Sequence, residues 1–347
     1  MKKLFKILLR IFMLSLLIIL AVFAIRWINN FRYQEYMLPE AESVYVNPAD
    51  LSLYDTEIEG IEIEIIEEEL LNGFHLIPDK MITEGAIVTF GGSDGSSNYD
   101  LAKMLAEEGY EVYSLFFFGP GELPDELIEA PLELFEEFLA YYSENSQTDG
   151  PLTVLGASKG AELTLNLAAH FNEIDHIILY APSAYSFFSL DERNTNQSSW
   201  MYEEQAIPYL SSRDGDVWET VKMIGGFIFY YPVKYTPVYE AVIDGTNDSD
   251  LEAARIKVEN FAGDGLIFAG EDDLMWPSQE MANVISQYND QIKIYFYPEA
   301  GHLFTMDRYM GAPGALIAFG GHQEANKRAL EKSNHVLFEH LAEWHNQ

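Results

Sequence analysis

The run Leu152-Thr153-Val154-Leu155-Gly156-Ala157-Ser158-Lys159-Gly160-Ala161-Glu162-Leu163 constrains this chain more than any other feature. An apolar, strand-like stretch enters Gly-x-Ser-x-Gly and leaves directly into an apolar run of helix formers. That pattern marks a sharp strand-to-helix turn that lifts a serine hydroxyl above a sheet, a nucleophile elbow. The turn crowds backbone against backbone, so the positions flanking the serine need residues without a Cβ. If it forms, it dictates a largely parallel sheet and sets the chain order of the partner residues.

A second Gly-x-Ser-x-Gly, Gly91-Gly92-Ser93-Asp94-Gly95, also follows an apolar strand (Ala86–Phe90) and precedes a helix (about Asn98–Glu108). Chain order arbitrates, because an elbow serine is followed by an acid and then a histidine, each after a strand. Downstream of Ser158 the apolar stretch Leu266–Gly270 runs into Glu271-Asp272-Asp273, and the alternating stretch Ile292–Tyr297 runs into Pro298-Glu299-Ala300-Gly301-His302. Ser158, Asp273 and His302 therefore sit at successive strand ends in the required order, with Asp272 the competing choice for the acid. His302 is expected as general base, and Asp273 as the group that holds its tautomer. Ser93 lies one strand–helix unit too early for a nucleophile. Its loop is expected to supply an oxyanion-hole N–H from Gly92 or Ser93 beside that of Lys159. Asp94 reads as a turn residue. The Lys159 side chain is expected to pair with Glu162 or an acid of an inserted cap.

These segments, together with Gly320-Gly-His-Gln-Glu-Ala325 before a last helix, resemble one family. It is the C-terminal catalytic domain shared by type I acyl-CoA thioesterases and bile acid-CoA:amino acid N-acyltransferase. Lys159 after the serine and Ile256-Lys-Val-Glu259 add to the likeness, which runs from about residue 57 to 345. It implies an α/β-hydrolase. It also implies hydrolysis rather than amide formation, since the transferase carries cysteine where this chain has Ser158. The animal enzymes carry an N-terminal β-sandwich, whereas Phe31–Gly85 leaves room for a linker and an opening hairpin (about Glu57–Ile66 and Gly73–Pro78).

The first residues depart from that family. Lys2, Lys3, Lys6 and Arg10 precede Ile11–Ile25, which is apolar apart from Ser15. With Arg10 and Arg26 reaching outward, a span from Ile7 to Ile28 is long enough to cross a bilayer. A cleaved signal peptide ending near Val22-Phe23-Ala24 is the other reading. The basic N-terminus favours a cytoplasmic start and an extracytoplasmic domain, a single-pass membrane protein in preference to a secreted one. Six of the 20 basic residues and none of the 56 acids precede Gln34, so the remainder carries a net of −42. Such a body repels nucleic acid and anionic headgroups and gives no long-range attraction to coenzyme A phosphates. There is no cysteine, which excludes disulfides and thiol catalysis, and nothing in the sequence calls for a metal or cofactor.

The expected organisation is an anchor or signal over 1–28, a linker over 29–56 and one α/β domain over 57–345. That domain has a mostly parallel central sheet, helices on both faces and an inserted cap at about 183–260. The cap is rich in aromatic residues, with Asn194–Ser199 and Asp244–Asp250 read as exposed loops. His75, His170, His176, His335, His340 and His345 are expected at the surface, and His322 outside catalysis. The expected function is a membrane-tethered serine hydrolase acting on an acyl ester or thioester. The alternatives are a cytosol-facing acyl-CoA thioesterase or acyltransferase, and a catalytically silent surface binding protein.

Overall fold

Alternating Ile and Glu make Ile61–Glu67 suited to a sheet edge, with one face packed and the other in water. In the computed structural model, which describes residues 2–36, 47–191, 193, 195–304, 307–312 and 314–346, this segment is strand β1. It pairs antiparallel with β2 (Asn72–Pro78), which pairs antiparallel with β4 (Glu111–Leu115). From there β3 (Ala86–Phe90), β5 (Leu152–Ala157), β6 (His176–Tyr180), β7 (Asp264–Gly270) and β8 (Ile292–Tyr297) continue in parallel. The result is one eight-stranded sheet of order β1-β2-β4-β3-β5-β6-β7-β8. Every residue of β3 and β4 is buried, as strands covered on both faces require. The fold is that of an α/β-hydrolase.

The N-terminal helix α1 (Lys2–Arg32) is long and apolar enough to cross a membrane, with a window of mean hydropathy 2.8 that is not buried against the domain. It runs past Ile28, so the first residues assigned to the linker are helical, and residues 37–46 of that linker lie outside the described residues. Helices α2 (Tyr99–Glu107) and α3 (Leu134–Asn145) follow β3 and β4. Helix α4 (Lys159–His170) springs from β5 and is buried all round; even Lys159 and Glu162 are inside. Between β6 and β7 the chain builds the short strand pair Trp200–Tyr202 and Gln205–Ala206, then α5 (Val217–Phe229), α6 (Thr236–Gly245) and α7 (Asp248–Ala254). After β7 come α8 (Ser278–Tyr288), β8, an antiparallel hairpin (Tyr309–Ala312 with Ala315–Ala318) and α9 (Gln323–His345).

Two surface expectations fail for packing reasons. His75, His340 and His345 are buried. The His75 ring stacks on Tyr113 at 4.1 Å and its Nε2 lies 2.7 Å from Glu111 Oε1. His345 Nε2 reaches Thr153 Oγ1 at 2.7 Å as the end of α9 closes over β5. Asn196, Ser198 and Ser199 are also buried, because this segment is hydrogen-bonded between Glu129–Ala130 and Phe187–Ser189; Asn194 lies outside the described residues.

Candidate active site

Ser158 sits between β5 and α4 with φ +56° and ψ −117°, a conformation that costs a non-glycine residue on the order of 1–3 kcal/mol. The surroundings hold it there. Its N–H donates to Tyr180 O at 2.9 Å on the neighbouring strand. The flanking glycines admit the turn: a Cβ on Gly156 would collide with Gly160 O, and one on Gly160 with Gly91 O. The strained turn thus packs directly against the loop after β3.

His302, in the loop after β8, is fixed by its N–H donating to Phe319 O at 2.8 Å. Its Nε2 lies 2.8 Å from Ser158 Oγ and its Nδ1 lies 2.8 Å from Asp273 Oδ2. A carboxylate at Nδ1 makes that nitrogen the protonated one, which leaves Nε2 to accept from the serine hydroxyl. The other oxygen of Asp273 accepts from Met275 N at 2.8 Å and Trp276 N at 3.3 Å, so the acid is oriented before it meets the imidazole. Asp272 points elsewhere: it accepts from Arg308 Nη1 at 2.7 Å and Gly321 N at 3.1 Å. Of the two aspartates, Asp273 is thus the one in contact with the imidazole. Only 8% of Ser158, 9% of Asp273 and 2% of His302 is exposed, so the three groups interact in a largely dry environment.

The loop Gly91–Ser97 lies beside the serine, with the Cβ direction of Gly92 ending 3.5 Å from Ser158 Cβ. Asp94 organises it, Oδ1 accepting from Gly92 N at 3.2 Å, Ser96 N at 3.4 Å and Ser96 Oγ at 3.1 Å. The N–H of Gly92, one of the expected oxyanion donors, is thus engaged by Asp94. Among the described residues no acceptor takes the N–H of Ser93 or of Lys159.

The Lys159 side chain turns away from the serine. Its Nζ donates to Glu162 Oε2 at 2.9 Å and Ser199 Oγ at 3.0 Å, fully buried. Burial pushes the ammonium pKa below its ordinary value, and the Glu162 carboxylate acts against that shift. Glu162 Oε1 meanwhile accepts from Trp200 Nε1 at 2.7 Å and Phe187 N at 3.0 Å, so one carboxylate ties α4 to the β6–β7 insertion. His322 caps α9, its Nδ1 accepting from Ala325 N at 3.2 Å, and takes no part in the cluster.

Three residues at the site were not singled out in the sequence. Trp276 lies edge-on to His302 at 5.9 Å and Phe319 lies at 6.1 Å, both ring centroid to centroid. Thr236 Oγ1 donates to Asp273 O at 3.0 Å. Trp276 follows Asp273 by three residues in the same loop, but Phe319 and Thr236 arrive from distant segments. No cluster of three or more His, Asp or Glu side chains among the described residues is placed to hold a metal ion.

Residues 130–341 match the family described as BAAT / Acyl-CoA thioester hydrolase C terminal, more than half of the chain. The chain belongs to that family. Among its relatives is acyl-coenzyme A thioesterase 6 of Homo sapiens, 27% identical over 267 residues, covering 73% of this chain and 58% of the relative. Acyl-coenzyme A amino acid N-acyltransferase 2 of Mus musculus is 23% identical over 325 residues, covering 89% of this chain and 69% of the relative. The chain thus spans well under two thirds of the human thioesterase. Among solved structures, the acylaminoacyl peptidase of Pyrococcus horikoshii aligns with a TM-score of 0.50 at 12% identity. That alignment covers 85% of this chain and 44% of that one, a likeness of fold alone.

Proposed function

We propose that the protein is a serine hydrolase that cleaves an acyl ester or thioester through an acyl-enzyme on Ser158. The observation that carries this reading is the relay Asp273–His302–Ser158, two 2.8 Å contacts ending on a serine in a strained turn. His302 Nε2 takes the hydroxyl proton as Oγ attacks the acyl carbonyl. The N–H groups of Lys159 and Ser93 receive the developing oxyanion, each worth roughly 3 kcal/mol in the transition state. The imidazolium then gives its proton to the departing alkoxide or thiolate. A water activated by the same nitrogen attacks the acyl-enzyme and releases the acid, restoring Ser158.

The family and the relatives' names support an acyl group as the part recognised. Charge argues against coenzyme A as the leaving group. Lys159 beside the serine is paired with Glu162, and Arg308 near the histidine is paired with Asp272. Phosphates need such cations as partners. We further propose that α1 remains as a single-pass anchor with its basic end in the cytoplasm, which puts Ser158 on the extracytoplasmic side. A membrane-impermeant fluorophosphonate applied to intact cells tests both statements. Labelling that is lost in Ser158→Ala is expected. Labelling only after lysis would favour the cytosol-facing thioesterase, and none in either state would favour a binding protein.

A further inference from the structure

Helix α5 turns an apolar face to the solvent, which a soluble domain avoids. Its outward face shows Val217, Trp218, Val221, Ile224 and Ile228 at 73%, 71%, 48%, 46% and 46% exposure, a helical stripe of large apolar side chains. The inward face is apolar as well. Met223 and Phe227 pack in a cluster with Val233, Ile317 and Phe319, and Phe319 abuts His302. Only the thickness of this helix therefore separates solvent from the apolar wall of the candidate site.

What covers the outward face follows from what holds the helix. The C-terminal carbonyls of α5, which no helix can satisfy internally, are taken by side chains of α1. Arg26 Nη1 donates to Phe227 O at 2.7 Å, and Asn29 Nδ2 donates to Phe229 O at 2.8 Å. Tyr33, one turn further on, is buried with Tyr230 and Leu316. The end of the N-terminal helix is thus built into the domain at α5. The stripe begins where that apolar helix leaves the protein, with Trp27 72% exposed at the junction. On a body this acidic, attraction to anionic headgroups is absent, so the complementary phase is the acyl interior of a bilayer.

We propose that the outward face of α5 lies in the interfacial layer of the membrane spanned by α1. We also infer that the substrate is a lipid-borne acyl ester or thioester passing from that layer, along α5, to Ser158. Both statements rest on the reading of α1 as a span and of Ser158 as a nucleophile. The shallow burial of an amphipathic helix and an aromatic side chain at the headgroup level are ordinary interfacial physics.

The full chain reconstituted in dibromo-phosphatidylcholine vesicles tests the docking. Tryptophan fluorescence of the wild type is compared with Trp218→Phe and Trp27→Phe. Loss of roughly half of the Trp218 signal is expected from an interfacial position. A quenched Trp27 beside an unquenched Trp218 would overturn the docking and leave the span standing; neither quenched would overturn both. Delivery is tested with wild-type protein and a long-chain 4-nitrophenyl ester in the same vesicles. Diluting the ester about tenfold with phosphatidylcholine at constant bulk concentration is expected to lower the rate about tenfold, since the lipid phase is the reservoir. A rate that follows bulk concentration would overturn delivery. No turnover at any dilution would overturn it together with the hydrolase reading.

Discussion

At the scale of single residues, adjacent carboxylates take opposite tasks because one backbone step turns them to different neighbours. Asp273 meets His302 Nδ1, whereas Asp272 meets Arg308 and the Gly321 N–H. Asp273→Asn is therefore expected to lower kcat about 10⁴-fold by favouring the wrong imidazole tautomer. Asp272→Asn, which touches no reacting group, is expected to stay within about tenfold. Steady-state kinetics on a 4-nitrophenyl ester compares the two, and equal losses would remove Asp273 from its role. Glu162 offers a second test at this scale. Its buried carboxylate neutralises Lys159 and receives Trp200 and Phe187. Glu162→Gln leaves an ammonium without a counter-ion in a dry site and should cost about 3 kcal/mol, read as a lower urea midpoint. The order serine, acid, histidine was legible from strand ends. The choice between Asp272 and Asp273, and the engagement of the Gly92 N–H by Asp94, were not. Each depends on where a side chain points after a turn, which strand patterning does not encode.

At the scale of elements, β5 and α4 form the frame from which the others take position. An apolar strand entering an apolar run of helix formers is readable as a strand–helix pair; that the helix also buries its polar stripe of Lys159, Glu162 and Asn166 is a tertiary outcome. The buried face of α9 was less readable, because His340 and His345 look like surface residues until the helix packs with Leu341 and Trp344 inside, whereas His335 stays exposed. Burial pushes the His345 imidazole down to about 4, with His176 adding repulsion. The unfolded chain binds a proton near 6.5, so between about 6.5 and 4 it gains a proton that the folded state refuses. His345 thus costs nothing above that window, and stability is lost as pH falls through it, by up to about 3 kcal/mol in total. His345→Gln is expected to flatten this part of the profile, measured as urea midpoints from neutral pH to pH about 4. An unchanged slope would show that other groups produce it.

At the scale of the molecule, an apolar helix is joined to a body in which 56 acids face 14 bases beyond Gln34. A body of that sign gains nothing from anionic headgroups, so any hold on the membrane must be hydrophobic. Membranes carrying the full chain are expected to retain it through high-salt and alkaline washes. Release by salt alone, read by immunoblot of the supernatant, would contradict an α1 span. Fold class, family, the strands flanking the elbow and the apolar first segment were determined by the sequence itself, because periodicity, glycine placement and motif spacing are local properties of a chain. Tertiary structure alone decided that Asp273 rather than Asp272 meets His302, that Phe319 and Thr236 join the site, and that Arg26 and Asn29 seat α5 on α1. Those contacts link segments as far apart as 201 residues, and they exist only once the sheet has formed and the segment between β6 and β7 has packed against its neighbours.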